Sequence, residues 1–195
     1  GLAAYATIQP HYNLYSRAAF EGGLQDLAVE KGLGVITYFS LESGFLTGKY
    51  KSVDQIAGTK REGMLKDKFD ERGVRILAVL DAVAQKNEAT SAQVALAWLL
   101  AQPGVTAPIV SATTTEQLAD TLKAAILTLS DEDVAELGVV AQDIVERQDD
   151  PAGIAEKDVD ALPEDRLHED VGTDPGALAA PLGGLSAGPV ALVKH

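Results

Sequence analysis

The feature that most constrains this chain is an alternation. Three short β-rich runs are each followed by segments with helical spacing. The first run, Ala6–Gln9, is a short apolar stretch that stops at Pro10. The second, Val35–Phe39, reads Val-Ile-Thr-Tyr-Phe, the β-branched and aromatic make-up of a buried strand. The third is Ala107–Val110. Between the first two, Ala18–Lys31 carries Phe20, Leu24, Leu27 and Ala28 at helical spacing, with Gly32 as a stop. Glu71–Lys86 repeats Ile76, Leu77, Leu80, Val83 and Ala84 on one face, and Ser91–Ala101 is apolar nearly all round, which predicts a buried helix. After the third run, Thr114-Thr115-Glu116-Gln117 has the spacing of a capping box. Thr114 is its N-cap, Gln117 reaches back, and the helix it opens runs through Leu118, Leu122 and Ala125. Ser130-Asp131-Glu132-Asp133 opens another, with acids at the positive end of its dipole.

The order is therefore β-α-β-α-α-β-α-α, which predicts an α/β fold with a parallel sheet covered by helices. Three strands are few, because both sheet edges would present unpaired backbone groups. The layout reads as a partial (β/α)8 TIM barrel, its last three strands with their helices. A barrel closes only when strand number and stagger agree. The inner faces of Val35, Ile36, Ile109 and Val110 are thus expected to lack partners, and the open strand edges to pair with a second copy. Residues 1–148 form this unit. From Asp149 the composition changes, with ten acids, three bases and eleven Gly or Pro in 47 residues. That predicts a poorly ordered acidic tail over 149–195.

Charge narrows the function. Sixteen Lys and Arg against 29 Asp and Glu leave a net charge of −13, which opposes binding to nucleic acid phosphates. With no Cys, disulfides and thiol catalysis are excluded, and His11, His168 and His195 lack metal-ligand spacing. No secretory signal is visible, and the uncharged stretch Gly176–Val193 has six Gly or Pro in 18 residues, a loose segment and not a membrane span. These features point to a cytoplasmic protein. The chain opens Gly-Leu-Ala-Ala and its one Met is Met64, which reads as a processed or truncated start.

In a parallel α/β fold, chemistry gathers at the C-terminal strand ends. Three segments qualify: Gln9–Ser16, Tyr38–Tyr50 and Ser111–Gln117. Gln9 could pair its amide with an amide of a ligand. His11 could act as an acid or base, or be a plain loop residue. Tyr38 could stack on a flat heterocycle, or pack in the core. Gly44 and Gly48 could shape a pyrophosphate loop, or simple turns. Ser111-Ala112-Thr113-Thr114-Thr115 runs from a strand into a helix, which suits either a phosphate or ordinary capping. Lys49, Lys60 and Arg61 could close over an anion, or be a solvated surface.

Taken together, five stretches resemble the aldo/keto reductases: Gln9-Pro10-His11-Tyr12-Asn13-Leu14, Gly34 to Leu41, Gly44 to Tyr50, Ser91 to Leu100, and Pro108 to Thr113. The resemblance covers about residues 5–146, with every motif in family order. It implies a barrel that binds NADP(H), or NAD(H), across its strand ends and reduces a small-molecule carbonyl, an aldehyde or ketone, without metal or flavin. By position, Gln9 resembles the residue that contacts the nicotinamide carboxamide and Tyr38 the aromatic that stacks on its ring. Leu41, Ser43 and Gly44 resemble the pyrophosphate loop. Ser111, Ala112, Thr113, Gln117 and Asp120 resemble the segment that holds the adenosine 2′-phosphate and adenine. Two departures follow. Ser111 and Gln117 are neutral where many members carry Lys and Arg, which weakens the grip on a 2′-phosphate. The family's catalytic Tyr, Lys, Asp and His lie earlier in its barrel and have no counterpart here, so no catalytic residue is assigned. The residues leave two further readings open: a non-catalytic nucleotide-binding or regulatory module, and an inert truncated product.

Overall fold

The computed structural model describes residues 4–142 and 189–191. Strand β1 (Thr7–Ile8) leads into helix α1 (Gly23–Lys31), strand β2 (Gly34–Thr37), and a long connection holding the one-turn helix α2 (Glu62–Leu65). Helices α3 (Glu71–Lys86) and α4 (Ser91–Ala101) follow, then strand β3 (Val105–Ser111), helices α5 (Thr115–Leu122) and α6 (Asp131–Gln142), and strand β4 (Pro189–Ala191). β1, β2 and β3 form a parallel sheet in chain order, as the alternation predicts. Between the pairs Val35–Val105 and Ile36–Ala107 the register shifts, which leaves Thr106 as the extra, bulged residue of β3.

β4 pairs antiparallel with the end of β3, matching Ile109 to Ala191 and Ser111 to Pro189. Thus the outer edge of β3 is taken by the chain's own C-terminal segment, where sequence reading expects an open edge. A Pro begins this strand, where a missing N–H costs least. The rest of the expected tail, residues 149–188 and 192–195, and the proposed boundary at 148, lie outside the described residues. No helix of the described residues is long and apolar enough to cross a membrane.

α3 buries the face the spacing predicts: Ile76, Leu77, Leu80, Val83 and Ala84. α4 is buried from Gln93 through Leu100, and Trp98 packs on Tyr12, with ring centres 5.8 Å apart. Trp98 also lies under the Arg17 guanidinium at 5.2 Å and donates its Nε1–H to the Val134 carbonyl at 3.3 Å. Val35 and Val110 join this core, because helices cover their face of the sheet, while Ile36 and Ile109 stay half-buried. The expectation that all four lack partners is therefore corrected for the two valines.

α1 is shorter than its spacing predicts. Gly22 adopts φ 86°, and the preceding turn closes through Phe20 and Glu21 amides donating to the Arg17 carbonyl. Phe20 is buried ahead of the helix, while Leu24 and Leu27 face solvent. The 40–68 connection is packed, not loose. Leu46, Ile56 and Leu65 anchor it in the core, and Lys51 pairs with Asp81 of α3, which also accepts from Ser91 Oγ at 2.7 Å.

Asp133 is more than a favourable helix start. It is buried, accepting from Lys86 Nζ at 2.8 Å and Asn87 Nδ2 at 3.1 Å, and so ties α6 to the end of α3. The hydrogen bond from Lys86, with help from Asn87, brings its carboxyl down to about 2. Since the folded value lies below the unfolded one, the stabilisation is complete above about pH 4 and is lost as pH falls toward 2. Asp133→Asn should cost on the order of 1–2 kcal/mol at pH 7. It should also flatten the pH dependence of urea unfolding across that acid window.

Candidate functional site

Because β1, β2 and β3 run parallel, their C-terminal ends share one rim. Thr7 aligns with Gly34 and Ile8 with Val35; beyond the strands, His11 bridges to Tyr38, with the Tyr38 amide donating to the Pro10 carbonyl at 3.1 Å. Thr37 aligns with Pro108, which sets Tyr38 and the Ser111 end of β3 on the same side. Gln9 and Ser111 are exposed at this rim, and Tyr38 is 39% exposed.

Tyr38 does not pack in the core. It stands in an aromatic trio with His11 and Phe39, with ring centres 5.2 Å (Tyr38–His11), 5.2 Å (Tyr38–Phe39) and 5.4 Å (His11–Phe39) apart. Phe39, at φ 52°, is 55% exposed. Predicted to lie inside a strand, it instead turns the chain out of β2. Glu42 and Ser43 also have positive φ, 46° and 56°. Three non-glycine residues in this region within five positions is a concentration of backbone strain at a strand end.

The element opposing that strain is a network on Glu42, which is only 5% exposed. Its Oε2 accepts from Asn13 Nδ2 at 2.6 Å and Ser16 Oγ at 2.8 Å, and lies 3.1 Å from His11 Nε2. Lys68 Nζ reaches Oε1 at 2.8 Å. Burial pushes the carboxyl up, but hydrogen bonds from Lys68, Asn13 and Ser16 outweigh it and hold the group below its ordinary value. Asn13 Nδ2 also donates to the Phe39 carbonyl at 2.9 Å, and Asn13 Oδ1 accepts from the Tyr15 and Ser16 amides. Sequence reading missed this cluster. Its only signal is an isolated acid, Glu42, in the otherwise uncharged run Phe39–Thr47.

Leu41, Ser43 and Gly44 lie together in the following turn. The Leu41 carbonyl accepts from the Gly44 amide at 2.9 Å, and Gly44 has φ 95°. Arg61 lies over this turn, donating from Nη1 to the Ser43 carbonyl at 2.6 Å. A Cβ on Gly44 would sit 2.0 Å from Arg61 Nη1, so the absence of a side chain makes the close approach. Of the three candidate cations Lys49, Lys60 and Arg61, Arg61 is thus engaged with the candidate loop.

The Ser111–Gln117 turn differs from the expected capping box. Thr114 does cap α5, accepting from the Gln117 amide at 3.2 Å. Gln117 Oε1, however, accepts from Thr113, at 3.0 Å from its amide and 2.8 Å from its hydroxyl, not from Thr114. The reciprocal box forms instead at Thr90 and Gln93, heading α4. The Glu116 carboxylate is held low by its own backbone N–H, aided by Thr114 and Thr115 hydroxyls. The helix end is therefore largely satisfied from within, and it carries a negative charge. Ala112 is buried. Asp120 is drawn toward α4, where Gln93 Nε2 donates to its Oδ1 at 2.7 Å and its carbonyl at 2.9 Å. Gln9, Tyr38 and the 111–117 turn thus share a rim, while Asp120 is held on the α4 side.

Comparison with known proteins gives a consistent result. Residues 2–141 match the model of the aldo/keto reductase family. The chain is 35% identical over 136 residues to an L-glyceraldehyde 3-phosphate reductase of Escherichia coli O157:H7, covering 66% of this chain and 39% of that protein. It is 32% identical over 145 residues to Protein tas of E. coli K12, covering 72% and 41% respectively. It is also 31% identical over 121 residues to a probable voltage-gated potassium channel subunit beta of Arabidopsis thaliana, covering 60% and 37%. The chain therefore spans well under half the length of these relatives.

Proposed function

The chain belongs to the aldo/keto reductase family, and on that premise we propose that its strand-end rim binds a nicotinamide dinucleotide for the reduction of aldehydes or ketones. In this reading β1, β2 and β3 are the last three strands of an eight-stranded barrel. The observation that carries it is the parallel register, which brings Gln9, Tyr38 and the Ser111 turn to one end of one sheet. The residues fit such a ligand. Tyr38 offers an accessible ring. The Arg61 guanidinium lies against the Gly44 turn, donating to the Ser43 carbonyl, and so sets a cation beside the pyrophosphate position.

When bound, the nicotinamide supplies hydride to the carbonyl carbon. The chain's part is orientation. Gln9 holds the carboxamide, Tyr38 stacks on the ring, and Leu41, Ser43 and Gly44 follow the pyrophosphate. The proton for the carbonyl oxygen is assigned to a Tyr outside the residues of this chain, in keeping with the absent tetrad. By itself the 195-residue chain is then expected to bind cofactor without reducing a carbonyl.

Cofactor choice follows from the α5 turn. Ser111 and Gln117 carry no charge, Gln117 is engaged by Thr113, and Glu116 adds a carboxylate. A 2′-phosphate would meet no cation and one anion there. NADH should therefore bind at least as tightly as NADPH, read from enhancement of nicotinamide fluorescence on titration with the chain. Gln117→Arg should shift the balance toward NADPH by roughly tenfold, the value of one charge-assisted contact. A clear preference for NADPH in the unaltered chain would refute the assignment of this turn. Absence of binding to either would refute the site.

A second reading, a non-catalytic regulatory module, draws on the channel-subunit relative. It shares the same rim, and persistent cofactor binding with no reductase activity after the chain is joined to a complete set of catalytic residues would favour it.

A further inference from the structure

We propose that Glu42 is a positioning residue, whose carboxylate sets the inclined aromatic cluster of His11 and Phe39 around Tyr38, the platform ring on which a flat heteroaromatic group stacks. The proposal deepens the cofactor reading above and, for its ligand, rests on it.

One oxygen of Glu42 reaches two members of the trio. Oε2 accepts directly from the His11 ring at 3.1 Å. Because a carboxylate only accepts, the His11 proton lies on Nε2, which fixes the ring's orientation. The same oxygen accepts from Asn13 Nδ2 at 2.6 Å, and that amide group also donates to the Phe39 carbonyl at 2.9 Å. Phe39 is thereby held at φ 52°, a conformation bulky side chains rarely adopt. This conformation leaves its ring exposed beside Tyr38.

The network has a cost that packing alone does not explain. It buries a carboxylate and spans a turn with positive φ at Glu42 and Ser43 as well as Phe39. Such strain persists only where surrounding contacts over-determine it, and it gathers at functional sites. Here the contacts come from three separate segments: His11, Asn13 and Ser16 after β1, Lys68 before α3, and the turn itself. An apolar residue at position 42 would leave Asn13 Nδ2 and Lys68 Nζ without this acceptor. An amide would keep the acceptor for Asn13 and Ser16 but lose the charge opposite Lys68.

The test compares Glu42→Ala, Glu42→Gln and, as a stability control remote from the rim, Asp133→Asn. In the full chain, NMR of the His11 ring and hydrogen exchange of the 40–47 amides read the platform without any ligand. Glu42→Ala should shift the His11 ring signals and speed exchange of those amides at least tenfold, with Glu42→Gln between it and wild type. NADH affinity should fall about tenfold or more in Glu42→Ala, recover partly in Glu42→Gln, and stay at wild type in Asp133→Asn. Wild-type His11 signals and exchange rates in Glu42→Ala overturn the proposal. So does a loss of NADH affinity of equal size in Asp133→Asn, which reports general loosening. If the unaltered chain binds no NADH, the cofactor reading fails, and the ligand-free measurements still decide whether Glu42 sets the platform.

Discussion

Gly73→Ala should destabilise the chain by about 3 kcal/mol or more, far beyond what a single added methyl group does at most helical positions. Gly73 lies in the first turn of α3 and is buried. A Cβ there would stand 1.8 Å from the Lys68 carbonyl oxygen and 3.0 Å from Phe45 Cζ. The first obstacle is backbone and cannot rotate aside. The second is a ring wedged edge-on between Tyr15 and Phe69, with centres 5.5 Å and 5.2 Å away. Relief would require moving the 66–70 turn, which carries Lys68 to Glu42 and the Asp70 N-cap to the Gly73 amide. The control is Gly138→Ala in α6, where nothing lies within 4 Å of the added carbon. It should be neutral or stabilising by up to about 1 kcal/mol, since Ala is the better helix former. Urea unfolding of the two variants checks the contrast, and a loss below 1 kcal/mol for Gly73→Ala would contradict the close approach.

Tyr38→Ala should weaken nicotinamide cofactor binding by roughly 10–100-fold, because aromatic stacking of a base contributes about 1–3 kcal/mol. Tyr38→Phe keeps the ring face and should bind as the unaltered chain does. The substitution should leave stability nearly unchanged, because a side chain already 39% exposed contributes little to the core. A core role for Tyr38 predicts the opposite pattern, with stability lost and affinity intact. Fluorescence titration beside thermal unfolding distinguishes the two.

Where local pattern and tertiary packing agree, the sequence was a sufficient guide. α3 keeps its apolar face; α4 is buried nearly all round; Thr114 caps α5. The parallel sheet was legible because strands separated by helices leave few other solutions. Boundaries failed where one residue's backbone overrode a pattern. Gly22 cuts α1 short of its apolar spacing, and Phe39 leaves the strand its composition suggests. Gln117 shows the limit of motif spacing, since a flexible amide one turn into a helix can reach Thr113 as readily as Thr114. The pairing of β4 with β3 joins residues about eighty positions apart, and no local signal carries such information.

Within the candidate site the divide is similar. Gln9, Tyr38 and Ser111 could be placed at one rim because strand direction alone decides it. The Glu42 network could not, because it gathers His11, Asn13, Ser16 and Lys68 from segments whose approach depends on the whole fold. Positive φ at Phe39, Glu42 and Ser43 was equally hidden, as none is a glycine. The hydrogen bond from Gln93 of α4 to Asp120 was hidden like the Glu42 network, since it joins residues 27 positions apart.

The central claim is that one dinucleotide spans the rim of the three parallel strands. Hydrogen exchange of the full chain, with and without saturating NADH, tests it most directly. Slower exchange in residues 9–13, 38–44 and 111–117 together, with α3 unchanged, is the predicted result. Protection confined to one of these segments, or absent from all three, would contradict it.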